Sequence, residues 1–365
     1  MPIINKSNFK ANFFFRNADL ATIWTALFRP KAKINFTRER LETTDGDFID
    51  LDWSKVSNIK SQPEKFHMQG FRVSRNRSLL GVNEVTRYES NAADGTFQAG
   101  SKLAILCHGL EGSSDNAYIT NAAAALNRNN YDACALNYRG CSGEPNRLLK
   151  SYHSGKTEDL DLLINHVVSN YDEIYLVGFS VGGNICLKYL GERSSSVSPK
   201  IKAAVTFSVP VSLESCAFEL ARPRNYIYMK NFLLKLKEKT KIKEQLFPGQ
   251  ISTENFSQVK NFLDYDEEFT APLNGFKSAI DYWTQASSNR VLEKISVPSL
   301  IVNAKDDPFL GEACYPVEVA KANPNLFLEI PEHGGHVGFT SCNFTNTYWQ
   351  ENRILEFLFS IDRGL

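Results

Sequence analysis

A serine hydroxyl becomes a useful nucleophile at neutral pH only beside an imidazole, which in turn needs a carboxylate to fix its tautomer. Gly178-Phe179-Ser180-Val181-Gly182 offers such a serine. The motif closes an apolar run, EIYLVGF, and opens a helical one, VGGNICLKYLG. A G-x-S-x-G motif between strand and helix reads as a nucleophile elbow, in which strained backbone lifts the hydroxyl above the sheet edge. Gly178 and Gly182 would let strand and helix approach without Cβ clashes. The competing reading is a glycine-rich nucleotide-binding turn. It fits poorly, because the first βα turn of the region carries HGLEG rather than G-x-G-x-x-G or a Walker lysine.

The base and the acid should follow the serine in the order acid, then histidine. After Ser180 only His333 and His336 remain, both in PEHGGHVGF behind the apolar run NLFLEI. Asp306 and Asp307 stand in KDDPF, behind the preceding run PSLIVNA. Both loops lie at strand carboxyl ends, where they can converge on Ser180. Sequence physics separates neither the two aspartates nor the two histidines.

An ester's tetrahedral intermediate also needs two N–H groups aimed at its developing oxyanion. Val181, after the nucleophile, is one candidate. Leu110, in Cys107-His108-Gly109-Leu110-Glu111-Gly112, is the other. Gly109 and Gly112 would shape that loop. His108 is read as a structural histidine that orients it, not as a proton carrier.

These loops need a scaffold, and the pattern supplies one. From about residue 101, short apolar runs alternate with helical stretches: KLAILCHG, DACALNYRG, EIYLVGFS, KAAVTFSV, PSLIVNAKDD and NLFLEI are the buried-strand candidates. Such alternation predicts a mostly parallel sheet flanked by helices, the α/β-hydrolase fold. EDLDLLINHVVSNY places Leu160, Leu163, Ile164 and Val167 on one helical face, with Thr157 as expected N-cap. Upstream, INFTRERLETTDG and DFIDLDWS read as a hairpin turning at Asp45–Gly46. The expected organisation is an N-terminal helical segment (1–35), a core (36–209 and 290–365) and a helical cap (210–289). Residues 56–100 form an irregular insertion in that core, holding an extra hairpin (FRVSRNRSLLG, NEVTRYES) with a loop tip at Asp94–Gly95.

Composition narrows the field. Hydrophobic residues make up 42% and charged residues 22% of 365, and 41 basic residues balance 41 acidic ones. No net field favours nucleic acid. The basic run at 235–243 reads as a solvated helix face. Seven cysteines without a C-x-x-C pair, mostly in apolar runs, suit free thiols in a reducing compartment. No metal-ligand spacing appears, and the chemistry requires no cofactor. The start lacks the order of a secretory signal, so the chain is expected in the cytoplasm. Residues 13–28 read as an amphipathic helix packed on the body, with peripheral membrane contact as the alternative role.

HGLEGSSDNAY, NYRGCSGEPNR, YHSGKTEDL, GFSVGGN, NAKDDPF and EHGGHVGF, in this order, resemble the YheT/EMB8 branch of α/β hydrolases, related to the mammalian ABHD1/2/3 proteins. The likeness runs from about residue 36 to the end, apart from 56–100. The N-terminal block departs from it, reading ADLATIWTALF. The resemblance implies Ser180 as nucleophile, Asp307 (the aspartate before proline) as acid and His336 (the second histidine of HGGH) as base. It further implies hydrolysis of carboxylic esters, short-chain or acyl-lipid. Arg139, Glu144 and Arg147 in the second block read as a loop-bracing ion network. An acyltransferase, thioesterase or amidase could use the same triad, and a non-catalytic binding protein is the more distant alternative.

Overall fold

The computed structural model describes residues 3–4, 6–56, 101–340 and 348–364. Its strands are β1 (Ile3–Ile4), β2 (Thr37–Glu42), β3 (Phe48–Ser54), β4 (Lys102–Cys107), β5 (Asp132–Asn137), β6 (Glu173–Phe179), β7 (Ile201–Phe207), β8 (Ser299–Val302) and β9 (Leu326–Glu329). Among the described residues they form one nine-stranded sheet in the order β1-β9-β8-β7-β6-β4-β5-β3-β2. Every pairing from β1 to β5 along that order is parallel. The β3–β5 and β2–β3 pairings are antiparallel. All six strands expected from 101 onward are present, as is the upstream hairpin, whose turn places Gly46 at φ 84°. The insertion at 56–100, with its hairpin, lies outside the described residues apart from Val56.

Helices cover both faces. They are α1 (Ala18–Leu27), α2 (Ala117–Asn127), α3 (Thr157–Val167), α4 (Val181–Arg193), α5 (Leu213–Leu220), α6 (Tyr226–Leu246), α7 (Phe262–Tyr265), α8 (Ala271–Asn274), α9 (Ala279–Ala286), α10 (Val317–Ala322) and α11 (Trp349–Asp362). Strand β4 shows how the core divides. Leu103, Ile105 and Cys107 point into the layer of α3 and α4, while Ala104 and Leu106 point into that of α2 and α11. The face of α3 is the one its spacing predicts: Leu160, Leu163, Ile164 and Val167 are all buried. Truncating a residue such as Leu163 to alanine costs about 2–5 kcal/mol.

Two local expectations need correction. Thr157 is the first residue of α3 and not its cap, a position held by Lys156, and its hydroxyl donates to Glu192 at 2.8 Å. Among the described residues of the N-terminal segment only 13–16 and 18–27 are helical, and Ile3–Ile4 instead extends the sheet against β9.

Between β7 and β8 the chain builds α5 to α9, a helical layer over the carboxyl ends of the strands. The lysine-rich run lies on α6. Lys235, Glu238 and Lys241 face solvent as expected, but Lys239 and Lys243 turn inward. Lys239 pairs with Glu111, and the Lys243 ammonium caps the carbonyls of Asn146 and Leu148.

Candidate active site

Ser180 sits between β6 and α4 at φ 53°, ψ −121°, a region that non-glycine residues rarely enter. Two neighbours explain why glycines flank it. A Cβ on Gly178 would lie 2.6 Å from the Gly183 backbone, and one on Gly182 only 2.2 Å from the Cys107 carbonyl oxygen. Strand, elbow and oxyanion loop are thus packed backbone to backbone.

His336 reaches Ser180 from the loop after β9. Its Nε2 is 2.9 Å from Ser180 Oγ, and its Nδ1 is 3.0 and 2.9 Å from the two carboxylate oxygens of Asp307. The Asp307 side chain is fully buried and also accepts the Phe309 N–H at 2.9 Å. With its carboxylate on Nδ1, the neutral ring carries the proton there and leaves Nε2 free to accept from the serine. The remaining pair stands apart: His333 Nδ1 meets Asp306 at 3.3 Å, and Asp306 also takes the Gly335 N–H. Burial raises the Asp306 carboxyl above its usual range. Geometry therefore separates the two pairs that the sequence left equivalent.

The loop after β4 lies beside the serine. Tyr118 Oη holds the Gly109 N–H, Tyr152 Oη the Glu111 N–H, and Gly109 O the Gly112 N–H. Leu110, between them, has no such partner for its N–H among the described residues. Val181 opens α4, so its N–H is an orphan donor of a helix first turn. Leu110, Val181, Ser180 and His336 line one cleft. His108 is buried. Its Nε2 accepts from Tyr138 N at 3.3 Å, which leaves Nδ1 to donate to Gly109 O at 2.7 Å. Desolvation lowers its pKa to about 4, so it is neutral and structural.

The cleft holds about 1120 Å³ of empty space, part of it open to solvent. Phe232, Leu236, Phe262, Phe269, Tyr282 and Trp283 furnish much of its wall. Tyr226 and Tyr228, at the start of α6, are not part of it. Tyr226 faces solvent, and Tyr228 packs edge-on against Phe309, which in turn covers the His336 ring at 4.2 Å.

With this geometry in place, the likeness to known proteins can be weighed. The family described as the alpha/beta hydrolase fold matches residues 103–341. YheT, a candidate esterase of Escherichia coli (strain K12), is 31% identical over 94% of this chain and 91% of its own. The chain belongs to the α/β-hydrolase family. Within it, 31% identity to YheT over nearly the whole of both chains defines the branch. Mouse phospholipase ABHD3 is 30% identical over 87% of this chain and 72% of its own. A solved Pyrococcus furiosus esterase, Pf2001, shares the fold alone, with a TM-score of 0.53 at 15% identity over 91% of this chain and 96% of that one.

In this α/β hydrolase the block at 137–147 braces and does not line the cleft. Arg139 is bidentate to Asp159 and reaches Asp45 and Asp47; Glu144 pairs with Arg40, and Arg147 with Glu42. The three residues pin the loop to β2, to the turn before β3 and, through Arg139, to α3, and do not pair with one another.

Sequence reasoning missed other supports. The His336 N–H donates to Thr22 Oγ of α1, and the Val337 N–H to Ser208 Oγ, both near 2.9 Å. Asn184 of α4 ties the Ser154 and Ala286 carbonyls together. None carries a motif, since each acts through a fold-dependent neighbour.

Proposed function

We propose that this α/β hydrolase cleaves carboxylic esters, short-chain or acyl-lipid, through an acyl-enzyme. One observation carries the reading: His336 bridges Ser180 Oγ and a buried Asp307 at hydrogen-bonding distance, at the wall of an apolar cleft. Ser180 Oγ attacks the acyl carbonyl while its proton passes to His336 Nε2. Asp307 holds Nδ1–H and stabilises the imidazolium. The N–H groups of Leu110 and Val181 take the oxyanion. Collapse returns the proton to the leaving alkoxide, and water then repeats the sequence on the acyl-serine.

The apolar wall of Phe232, Phe262 and Trp283 suits the acyl chain. The names of the relatives, esterase and phospholipase, lie in the same reaction class.

The test is labelling with a fluorophosphonate probe, wild type against Ser180→Ala, followed by p-nitrophenyl esters of rising chain length. Labelling and turnover lost in a folded Ser180→Ala protein support the reading, and the chain-length optimum sizes the cleft. Ester turnover retained by Ser180→Ala would sink it.

A further inference from the structure

Helix α1 is amphipathic in the unusual sense. Its buried face is small: Ala21, Thr22 and Thr25. Thr22 receives the His336 N–H, and Thr25 bonds the Gly338 carbonyl and Thr340. Its large apolar residues, at helical spacing, face outward instead. Leu20 is 41% exposed, Trp24 38% and Leu27 71%. Phe28 continues the stripe at 60%, and the turn before α1 adds Phe13 at 76% and Phe14 at 68%. The start of α6 stands beside this face, tied to it by the Tyr228 hydroxyl on Asp19, and exposes Tyr226 and Ile227. A helix kept only for packing would bury its aromatics. A cluster of this size marks a docking surface.

Charge identifies the occupant. The chain as a whole is balanced, yet residues 1–35 hold six basic side chains and a single acid, Asp19. Arg29 is spent inside on Glu351. Lys6, Lys10, Arg16 and Lys33 are exposed, and Lys31, also exposed, pairs with Asp115. Aromatics flanked by Lys and Arg fit an interface of acyl chains under anionic headgroups. A second copy of this chain would bring the same positive charge against itself.

We propose that the outer face of α1, with Phe13, Phe14 and the first turn of α6, docks on an anionic lipid surface. This rests on the ester-hydrolase reading only for its purpose. Docking sets the membrane one helix away from His336, so an acyl ester leaving the bilayer has a short path to the cleft.

The test is co-sedimentation of the full chain with vesicles of phosphatidylcholine alone or phosphatidylcholine with phosphatidylglycerol (3:1). Wild type is compared with Leu27→Gln/Phe28→Gln and, separately, Phe13→Ser/Phe14→Ser. Wild type should bind the anionic vesicles and release with salt, and each double variant should bind about tenfold or more weakly. Thermal melting checks that each variant is folded, and turnover of a soluble short-chain ester should stay within about twofold of wild type. Wild type that ignores anionic vesicles would overturn the proposal. So would variants that bind equally well, or a wild-type dimer that the variants split without any vesicle binding. Ser180→Ala should bind vesicles like wild type, so failure of the hydrolase reading and failure of docking are read separately.

Discussion

The ammonium of Lys239, on α6, donates to both carboxylate oxygens of Glu111, at 3.0 and 3.3 Å, and so ties the helical layer to the loop that carries Leu110. Both side chains are largely shielded, at 15% and 12% exposure. Glu111 itself holds φ 51°, and the Tyr152 hydroxyl accepts its N–H and donates to its carboxylate. Leu110 is thus clamped from the side that the cap controls. Glu111→Gln should lower kcat on a soluble ester about tenfold while moving KM far less, because an N–H misplaced by a fraction of an ångström costs transition-state binding. The Lys239→Met/Glu111→Gln double variant should be more stable than Glu111→Gln alone, since it removes the stranded cation. A loss confined to KM would mean that the pair only binds substrate.

The two aspartate–histidine pairs should behave unequally. His336→Ala is expected to lower kcat by about 10⁴ or more, whereas His333→Ala should remain within a few-fold of wild type. His333 is 40% exposed and faces Asp306, not the serine. Steady-state rates on one p-nitrophenyl ester suffice. A loss of comparable size in both variants would place His333 in the chemistry.

The contrast between these pairs shows what a sequence can carry. The elbow was legible because G-x-S-x-G between a strand and a helix has a backbone reason: at Gly178 and Gly182 a Cβ would meet neighbouring backbone. The six core strands were legible because a strand buried on both faces must be apolar throughout, as 103–107 is. Choosing His336 over His333 needed the family likeness, because both follow the same strand and differ only in where Gly334 and Gly335, at φ 158° and 59°, send the chain. Thr22 was invisible, since nothing local marks an α1 hydroxyl as the acceptor for an N–H 314 residues away. Lys239 and Lys243 misled the reading for a related reason. A lysine at helical spacing looks solvated until a carboxylate or loop carbonyls are found facing it.

The strain at Ser180 should be measurable as stability. Its φ of 53° costs a non-glycine residue on the order of 1–3 kcal/mol, against ~0.5–1 kcal/mol for the extra freedom glycine gives the unfolded chain. Ser180→Gly and Ser180→Ala both lose the hydroxyl, so comparing them isolates the backbone. The glycine variant should melt about one to a few degrees above the alanine variant. Equal melting temperatures would mean that no strain is stored at the elbow.

Asp266 offers a pH test inside the cleft. It lies in a π-turn spanning Asp266–Thr270, and burial raises its carboxyl to about 6 despite opposing hydrogen bonds from Thr270 and the Trp283 indole N–H. A folded-state pKa above the unfolded value means that the native state holds the proton more tightly. Stability therefore falls as pH rises from about 4 to about 6 and is flat above, with a total loss on the order of 3 kcal/mol. Asp266→Asn keeps an acceptor for Trp283 without the buried charge. Its melting temperature should exceed that of wild type at pH 7.5, and the two should converge near pH 4. A difference independent of pH would show that Asp266 is not the group responsible.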